Sequence, residues 1–355
     1  MHPLEAALVA HIRAHGSIGF DEYVAHALYA PSLGFYQRGS GAGRRRDFLT
    51  SPEVGPLFGA VIARALDAWW IAAGRPERFP VVEAGAGPGT LARSILAAAP
   101  ACRAALELVL VEVGRAQWSS HPDGARTVEA LPAPGALGPG PVVVVANELL
   151  DNLPFGLVER GAEGWHEVRV GLGDDDRLVE VPGALDAARQ AWCEARSGGG
   201  APIGARLPVQ ADAAAWLADA LALAAGGPVV AIDYAADSPA LARRPWETWV
   251  RTYAAHGRAG HPLEDPGSRD ITCDVAVDQL ALVRPPTRDR DQAAFLRAHG
   301  LEELVAEGRA LWGRDGLGGG LPAIAGRSRV GEAEALTDPG GLGAFRVLEW
   351  DAPAK

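Results

Sequence analysis

Residues 80–91 read Pro80-Val81-Val82-Glu83-Ala84-Gly85-Ala86-Gly87-Pro88-Gly89-Thr90-Leu91. An apolar run ends in an acid, glycines follow at alternate positions, and the apolar residues beyond them have helical spacing. Glycine has no Cβ, so it accepts positive φ and lets the backbone approach a ligand, while a helix start offers free N–H groups. The stretch predicts a strand, a tight turn and a helix that together bind a nucleotide-like cofactor.

The spacing of the glycines separates two classes of cofactor. The dinucleotide fingerprint G-x-G-x-x-G would need its third glycine at position 90, where Thr90 stands. An acid two residues before G-x-G-x-G resembles instead the first motif of class I S-adenosylmethionine methyltransferases, whose glycines contact the amino acid part of the cofactor. This resemblance implies a cofactor site at Glu83, Gly85, Gly87 and Gly89. An ordinary βα turn is the alternative.

Composition limits the functional classes. The chain has 355 residues, of which 48% are hydrophobic, enough for one α/β core with large additions. The net charge of −11 disfavours a nucleic-acid partner, which would need a basic face. No apolar run is long enough to span a membrane, and the start has no signal-peptide pattern. We therefore expect a soluble cytoplasmic protein without a membrane partner.

Cysteine and lysine exclude further classes. The three cysteines are far apart and contain no C-x-x-C pair, so neither a disulfide framework nor a metal site is indicated. The only lysine is Lys355, which leaves no lysine in the fold for a Walker A motif or a Schiff base.

The order of the predicted elements defines the fold class. Helices are predicted at 3–15, 20–29, from Ser51 as N-cap to about 71, at 186–195, at 212–225 and at 291–311 with a break at Gly300. Strands are predicted at 80–84, 106–112, 127–129, 141–146, 229–234 and 345–348, with an antiparallel meander over 155–181 and a glycine-rich loop before the last strand. We expect an α/β protein with a Rossmann-like, mostly parallel sheet and helices on both faces.

Four regions follow from these elements. Residues 1–78 are predicted to form an N-terminal helical extension with a mobile loop at 39–46, and residues 79–154 to form the first part of the cofactor-binding core. Residues 155–227 are predicted to form an inserted α+β subdomain, and residues 228–355 to complete the core and the C-terminal region.

Polar residues end two of the predicted core strands. Glu112 closes the second strand, where its two carboxylate oxygens match the two hydroxyl groups of a ribose. Asn147, Glu148 and Asp151 follow the fourth strand. Since ligands of open α/β sheets bind at the carboxyl ends of strands, we expect these side chains at the site.

The whole series of segments resembles the MidA family of S-adenosylmethionine-dependent methyltransferases, which is also described as a family of mitochondrial complex I assembly factors that methylate an arginine. The matching segments are ALYAP at 27–31, GFY at 34–36, DFLTSPE at 47–53, Phe58-Gly59, the glycine turn, ANELLD at 146–151 with Pro154, IDY at 232–234, Tyr253 with His256, DIT at 270–272 and GAFRVL at 343–348.

This resemblance implies a class I methyltransferase that transfers a methyl group from S-adenosylmethionine to an arginine of a protein, such as a subunit of a complex I-type respiratory enzyme. It places Thr50, Ser51 and Glu53 near the cofactor, although the residue pattern alone indicates only a helix start. Glu148 and Asp151 would hold the guanidinium, because carboxylates orient it. For Asp151, capping of the next helix is the alternative.

Two further roles are less specific. Asn147 would bind cofactor or target, with turn formation as the alternative, and His256 would accept the released proton. A non-catalytic assembly chaperone and an N-methyltransferase of small molecules or nucleic acid remain alternative functions. The sequence does not indicate an oligomeric state.

Overall fold

The computed structural model describes residues 3–38, 50–254, 257–315 and 321–351, with the side chains of 314–325 excepted. The loop expected at 39–46 and His256 lie outside the described residues. The helices are α1 Pro3–His15, α2 Phe20–Tyr29, α3 Ser51–Val54, α4 Pro56–Ala72, α5 Thr90–Ala97, α6 Ala187–Ser197, α7 Ala211–Ala224, α8 Ser238–Ala242, α9 Val277–Leu280, α10 Gln292–Ala298, α11 Leu301–Asp315 and α12 Leu321–Thr337.

The strands are β1 Ile18–Gly19, β2 Phe79–Ala84, β3 Leu106–Val111, β4 Arg126–Val128, β5 Val143–Asn147, β6 Gly156–Arg160, β7 Trp165–Leu172, β8 Leu178–Gly183, β9 Arg206–Val209, β10 Val229–Asp233, β11 Ala235–Ala236, β12 Val250–Ala254, β13 Gly257–Arg258, β14 Asp270–Cys273, β15 Val275–Ala276, β16 Arg288–Asp291 and β17 Arg346–Trp350. No described helix is both long and apolar enough to cross a membrane.

A seven-stranded mixed sheet forms the centre of the molecule, with the strand order β16-β17-β10-β5-β2-β3-β4. The neighbours from β10 to β4 pair in parallel, whereas β17 runs antiparallel to both β10 and β16. The protein is therefore an α/β protein, as expected, and this order is consistent with the class I methyltransferase fold that the resemblance implies.

The central strands are buried on both faces because helices cover each side. On one face, α4, α5, α10 and α11 pack against Val81, Val143 and Ile232. On the other face, α7 and α9 pack against Val82 and Val144. This explains why these strands read as continuous apolar runs instead of alternating polar and apolar residues.

A second, antiparallel sheet has the order β1-β7-β6-β9 with β8 paired to β7, and all of its strands except β1 lie between β5 and α7 in the chain. The meander expected at 155–181 corresponds to β6, β7 and β8. The short strand β1 comes from the N-terminal segment and pairs with β7, and Phe20 and Tyr23 of α2 pack with Phe155. Hydrophobic packing thus joins the N-terminal helices to the insertion.

Residues 316–320 of the glycine-rich loop expected before the last strand lie outside the described residues, and residues 321–337 form helix α12 instead. Its glycines permit close helix packing: a Cβ added at Gly326 would lie 2.5 Å from the Gly308 carbonyl oxygen of α11. These glycines allow two helices to pack closely, and a local sequence pattern does not distinguish glycines in such a helix from glycines in a loop.

Candidate cofactor and substrate site

A cavity of about 600 Å³ lies at the carboxyl ends of β2, β3 and β5. Parallel strands that start from the same edge bring their ends, and the side chains that follow them, to one side of the sheet. The sequence-predicted residues that line this cavity are Thr50, Glu53, Glu83, Gly85, Gly87, Glu112, Asn147 and Glu148. Ser51, Gly89 and Asp151 are outside the lining, and His256 is outside the described residues.

The three glycines of the turn all have positive φ, at 70° for Gly85, 51° for Gly87 and 73° for Gly89. Their surroundings differ. A Cβ on Gly85 would lie 3.0 Å from a Leu149 methyl carbon, and one on Gly89 would lie 3.1 Å from the His121 ring. A Cβ on Gly87 would meet nothing within 4 Å. Gly87 therefore leaves open space in the cavity wall, where a ligand can approach the backbone.

Glu112 directly follows β3 and fixes the glycine turn. Its Oε2 accepts a hydrogen bond from the Gly87 N–H at 2.7 Å, and its Oε1 accepts one from the Gly114 N–H at 2.6 Å. Burial raises the pKa of this carboxyl, although the same two N–H groups oppose the shift. Each carboxylate oxygen has a second lone-pair site, so Glu112 can also accept hydroxyl donors from a ribose.

Glu83 lies near the end of β2 and is 6% exposed. Burial raises the pKa of its carboxyl to about 8. Its Oε2 is buried and has no hydrogen-bond partner within the described part of the chain. A buried acceptor without a donor is costly, so the site fits a ligand that brings a cationic amino group.

The turn after β5 presents a second carboxylate to the cavity. Glu148 has a φ of 52°, and its N–H donates to the Ile232 carbonyl oxygen at 2.8 Å. Its Oε1 accepts hydrogen bonds from the Ser51 N–H at 3.1 Å and from Asn147 Nδ2 at 3.0 Å. Burial raises the pKa of Glu148 to about 7, so both charge states are accessible near neutral pH.

Asp151 lies in a short 3-10 helix, Leu150–Asn152, and is 4% exposed. Its carboxyl does not cap this helix, since the N-cap position belongs to Leu149. Burial, followed by the nearby Asp233 and Asp270 carboxylates, raises the pKa of Asp151 well above its usual range. Asp151 is thus a buried acid behind the cavity wall.

The segment at 50–53 connects several parts of the site. Helix α3 begins at Ser51, and Thr50 takes the N-cap position that the sequence analysis gave to Ser51. Because Gly55 interrupts the expected helix, two helices, α3 and α4, occupy the range in which the sequence predicts one helix to about residue 71.

Side chains of this segment make contacts with distant parts of the chain. Ser51 Oγ donates to Gln292 at 2.9 Å, and Thr90 Oγ1 donates to Glu53 at 2.7 Å. Buried tertiary contacts of Ser51 therefore replace the expected local cap.

Tyr29 and Tyr36 also line the cavity, and the sequence analysis did not assign them a role. Their rings stack with centroids 5.6 Å apart. The Tyr29 hydroxyl donates to the Asn152 carbonyl oxygen, and the Tyr36 hydroxyl donates to an Asp270 carboxylate oxygen, both at 3.0 Å. Both tyrosines belong to matched segments at 27–31 and 34–36, which was the available signal.

One face of α7 contributes a further part of the lining that sequence reasoning missed. Asp212, Trp216 and Asp219 recur at helical spacing and reach the cavity together. The periodicity was visible, but the orientation of this face depends on how α7 packs against the sheet.

These features fit S-adenosylmethionine. Gly87 provides the space for close approach, Glu83 provides an acceptor for the amino group, and Glu112 provides acceptors for the ribose hydroxyls. Thr90 occupies the position where the dinucleotide fingerprint requires glycine. The geometry agrees with a cofactor that has no pyrophosphate.

Comparisons with known proteins agree with this assignment. Residues 61–287 match a family model described as "Putative S-adenosyl-L-methionine-dependent methyltransferase". The chain is 26% identical over 344 residues to the mitochondrial protein arginine methyltransferase NDUFAF7 of Danio rerio, covering 84% of this chain and 76% of that protein. It is 27% identical over 321 residues to human NDUFAF7, covering 78% and 68% respectively.

A solved structure is similar over nearly the whole chain. A protein from Burkholderia thailandensis, crystallised with S-adenosyl-homocysteine, superposes with a TM-score of 0.84 at 28% identity and covers 98% of this chain and 91% of that one. The family model spans more than half of the 355 residues. The chain therefore belongs to the MidA-like family of S-adenosylmethionine-dependent methyltransferases, and S-adenosylmethionine is its cofactor.

Proposed function

We propose that this methyltransferase acts on a guanidinium nitrogen of an arginine in a protein substrate. The observation that carries the proposal is the Glu148 carboxylate, which lines the cofactor cavity beside Asn147 at the end of β5. The names of the NDUFAF7 relatives point to the same substrate class.

Glu148 is suited to hold a guanidinium. Both hydrogen bonds from Ser51 and Asn147 reach Oε1, which leaves Oε2 for a ligand. Asn147 Oδ1, beside it, is buried and accepts no hydrogen bond from the described residues. A carboxylate and an amide oxygen match the donor fork of an arginine. Glu148, rather than the more buried Asp151, would therefore contact the substrate.

The reaction needs alignment and the removal of one proton. When bound, S-adenosylmethionine supplies an electrophilic methyl group, and S-adenosylhomocysteine leaves as the N–CH₃ bond forms and the S–CH₃ bond breaks. A guanidinium is protonated and a poor nucleophile, so a carboxylate that orients it and concentrates electron density on one nitrogen assists the attack. Glu148 can accept the released proton, because its pKa of about 7 is close to neutral pH.

The test is a transfer assay with S-adenosyl-[methyl-³H]methionine and a bacterial protein extract, followed by acid hydrolysis and amino acid analysis. We expect labelled methylarginine with the wild type and at least a hundredfold less with Glu148→Gln. Glu107→Gln is the control, since Glu107 is a solvent-facing residue of β3 paired with Arg78.

Label in another amino acid or in small molecules would contradict the arginine assignment. If S-adenosylhomocysteine binds but no label is transferred to any acceptor, a non-catalytic assembly role becomes the better account.

A further inference from the structure

The turn that carries Glu148 is strained and needs external support. Glu148 has a φ of 52°, in the left-handed region that a non-glycine residue rarely adopts. Such a conformation is unfavourable and persists only where surrounding contacts impose it. The contacts on the cavity side are those from Ser51 and Asn147 to Oε1. A second set of contacts comes from β10, the strand that pairs with β5.

Asp233, the last residue of β10, holds this turn through its side chain. One carboxylate oxygen, Oδ2, accepts hydrogen bonds from the Leu150 N–H at 2.9 Å and from the Asp151 N–H at 3.2 Å. The other oxygen, Oδ1, accepts from the Tyr234 N–H at 2.9 Å. Asp233 is 2% exposed, so water does not compete for these donors. Together with the bond from Glu148 N–H to Ile232, these contacts fix the turn to the end of β10.

We propose that Asp233 is a positioning residue for methyl transfer, which acts through the turn at 148–151 to aim the Glu148 carboxylate. Asp233 itself is outside the cavity lining. The two carboxyl groups assigned to the cofactor, Glu83 and Glu112, lie on β2 and directly after β3, and no described hydrogen bond joins either of them to Asp233. This inference rests on the proposed role of Glu148.

The neighbouring Asp151 supports this assignment. Asp233 and Asp151 are both buried, and burial raises the pKa of each well above its usual range. Three N–H groups stabilise the ionised form of Asp233, whereas Asp151 Oδ1 is buried without a hydrogen-bond partner in the described part of the chain. Hydrogen bonding therefore favours the ionised form of Asp233 over that of Asp151, and Asp233 serves as the acceptor for the turn.

The decisive variant is Asp233→Asn, which keeps the shape but turns one acceptor oxygen into an NH₂ group. Asp67→Asn is a matched control. Asp67 also accepts two backbone N–H groups at the start of a 3-10 helix, from Ala101 at 2.9 Å and from Cys102 at 2.8 Å, away from the cavity. Asp233 is buried and accepts three N–H groups, whereas Asp67 is partly exposed and accepts two, so the control tests whether losing a carboxylate that holds the start of a 3-10 helix is by itself enough to reduce transfer.

For each protein we would measure the affinity for S-adenosylhomocysteine by calorimetry. We would also measure the amount of methyl group transferred to proteins of the bacterial extract in a single turnover, divided by the amount of cofactor-bound enzyme. For Asp233→Asn we expect affinity within about threefold of wild type and transfer reduced about 10- to 100-fold, as expected when a reacting group is displaced by roughly 1 Å. Asp67→Asn should keep both. Equal transfer by Asp233→Asn and wild type would overturn the inference, as would an equal loss in the control.

Hydrogen exchange tests whether Asp233 holds the turn without the need for a methyl-accepting substrate. The amides of Leu150 and Asp151 should be protected in the wild type and exchange at least tenfold faster in Asp233→Asn. Rapid exchange in the wild type, which needs no variant to fold, would also refute the inference. Absence of transfer by the wild type would contradict the proposed function, while the exchange result would still decide whether Asp233 holds the turn.

Discussion

Replacing Gly87 with alanine adds one methyl group where the cavity wall is open. Gly87 has a φ of 51°, and an added Cβ would meet no protein atom within 4 Å. Its N–H and carbonyl oxygen are engaged by Glu112 at 2.7 Å and by His121 at 2.8 Å, so the backbone cannot easily rotate away. The methyl group would therefore occupy space used by the cofactor.

The expected magnitudes follow from this geometry. Alanine in the left-handed region costs about 1 kcal/mol of folding stability, with no additional steric term because the space is empty. The cofactor must instead move away from the added methyl group. We expect at least a tenfold loss of S-adenosylhomocysteine affinity, which corresponds to about 1.4 kcal/mol.

Gly74→Ala is the matched control. Gly74 also has a positive φ, of 84°, and an added Cβ there likewise meets nothing within 4 Å, but it follows α4 outside the cavity. Urea unfolding should show similar losses of stability for both variants, and calorimetry should show weak binding only for Gly87→Ala. Wild-type affinity in Gly87→Ala would refute the placement of the cofactor against this turn.

Three further predictions concern the carboxyl groups of the site. Glu112→Gln places an NH₂ group against an N–H of Gly87 or Gly114, so calorimetry should show about 10- to 100-fold weaker cofactor binding. Methyl transfer should rise through pH 7 as Glu148 ionises, and pH–rate measurements on Glu148→Gln should show no such rise. The folded-state pKa of Glu83, about 8, is above its unfolded value, so folding stability should fall from pH 5 to 8, and urea unfolding of Glu83→Gln should show a smaller fall.

The core of the fold was predictable because its signals are local. Continuous apolar runs predicted buried parallel strands, and β2, β3, β5 and β10 occur where they were expected. The glycine turn was predictable because only glycine takes three positive φ angles in five residues without strain. Polar residues at strand ends predicted the site, since strand direction alone brings Glu112, Asn147 and Glu148 to one edge.

Other parts of the site depend on contacts between distant segments. Ser51 at the start of a helix suggested a cap, but its hydroxyl bonds Gln292, which is 241 positions away. Apart from their matched segments, Tyr29 and Tyr36 have no pattern that indicates a ligand. They reach the cavity because the end of α2 and the segment after it pack against the core cluster that includes the insertion. The roles assigned to Glu148, Asp151 and His256 stay predictions.

The family, the cofactor and the α/β core could be inferred from the amino-acid sequence, because its motifs, turns and strands depend on residues close in the chain. Which carboxyl groups face the cavity and which are buried behind it depends instead on the packing of segments that are distant in the chain. Glu148 and Asp151 are three residues apart, yet one lines the cavity and the other is 4% exposed. The left-handed backbone at Glu148 and the Asp233 side chain on the next strand set that difference. The pairing of β5 with β10 creates it, and no local pattern encodes it.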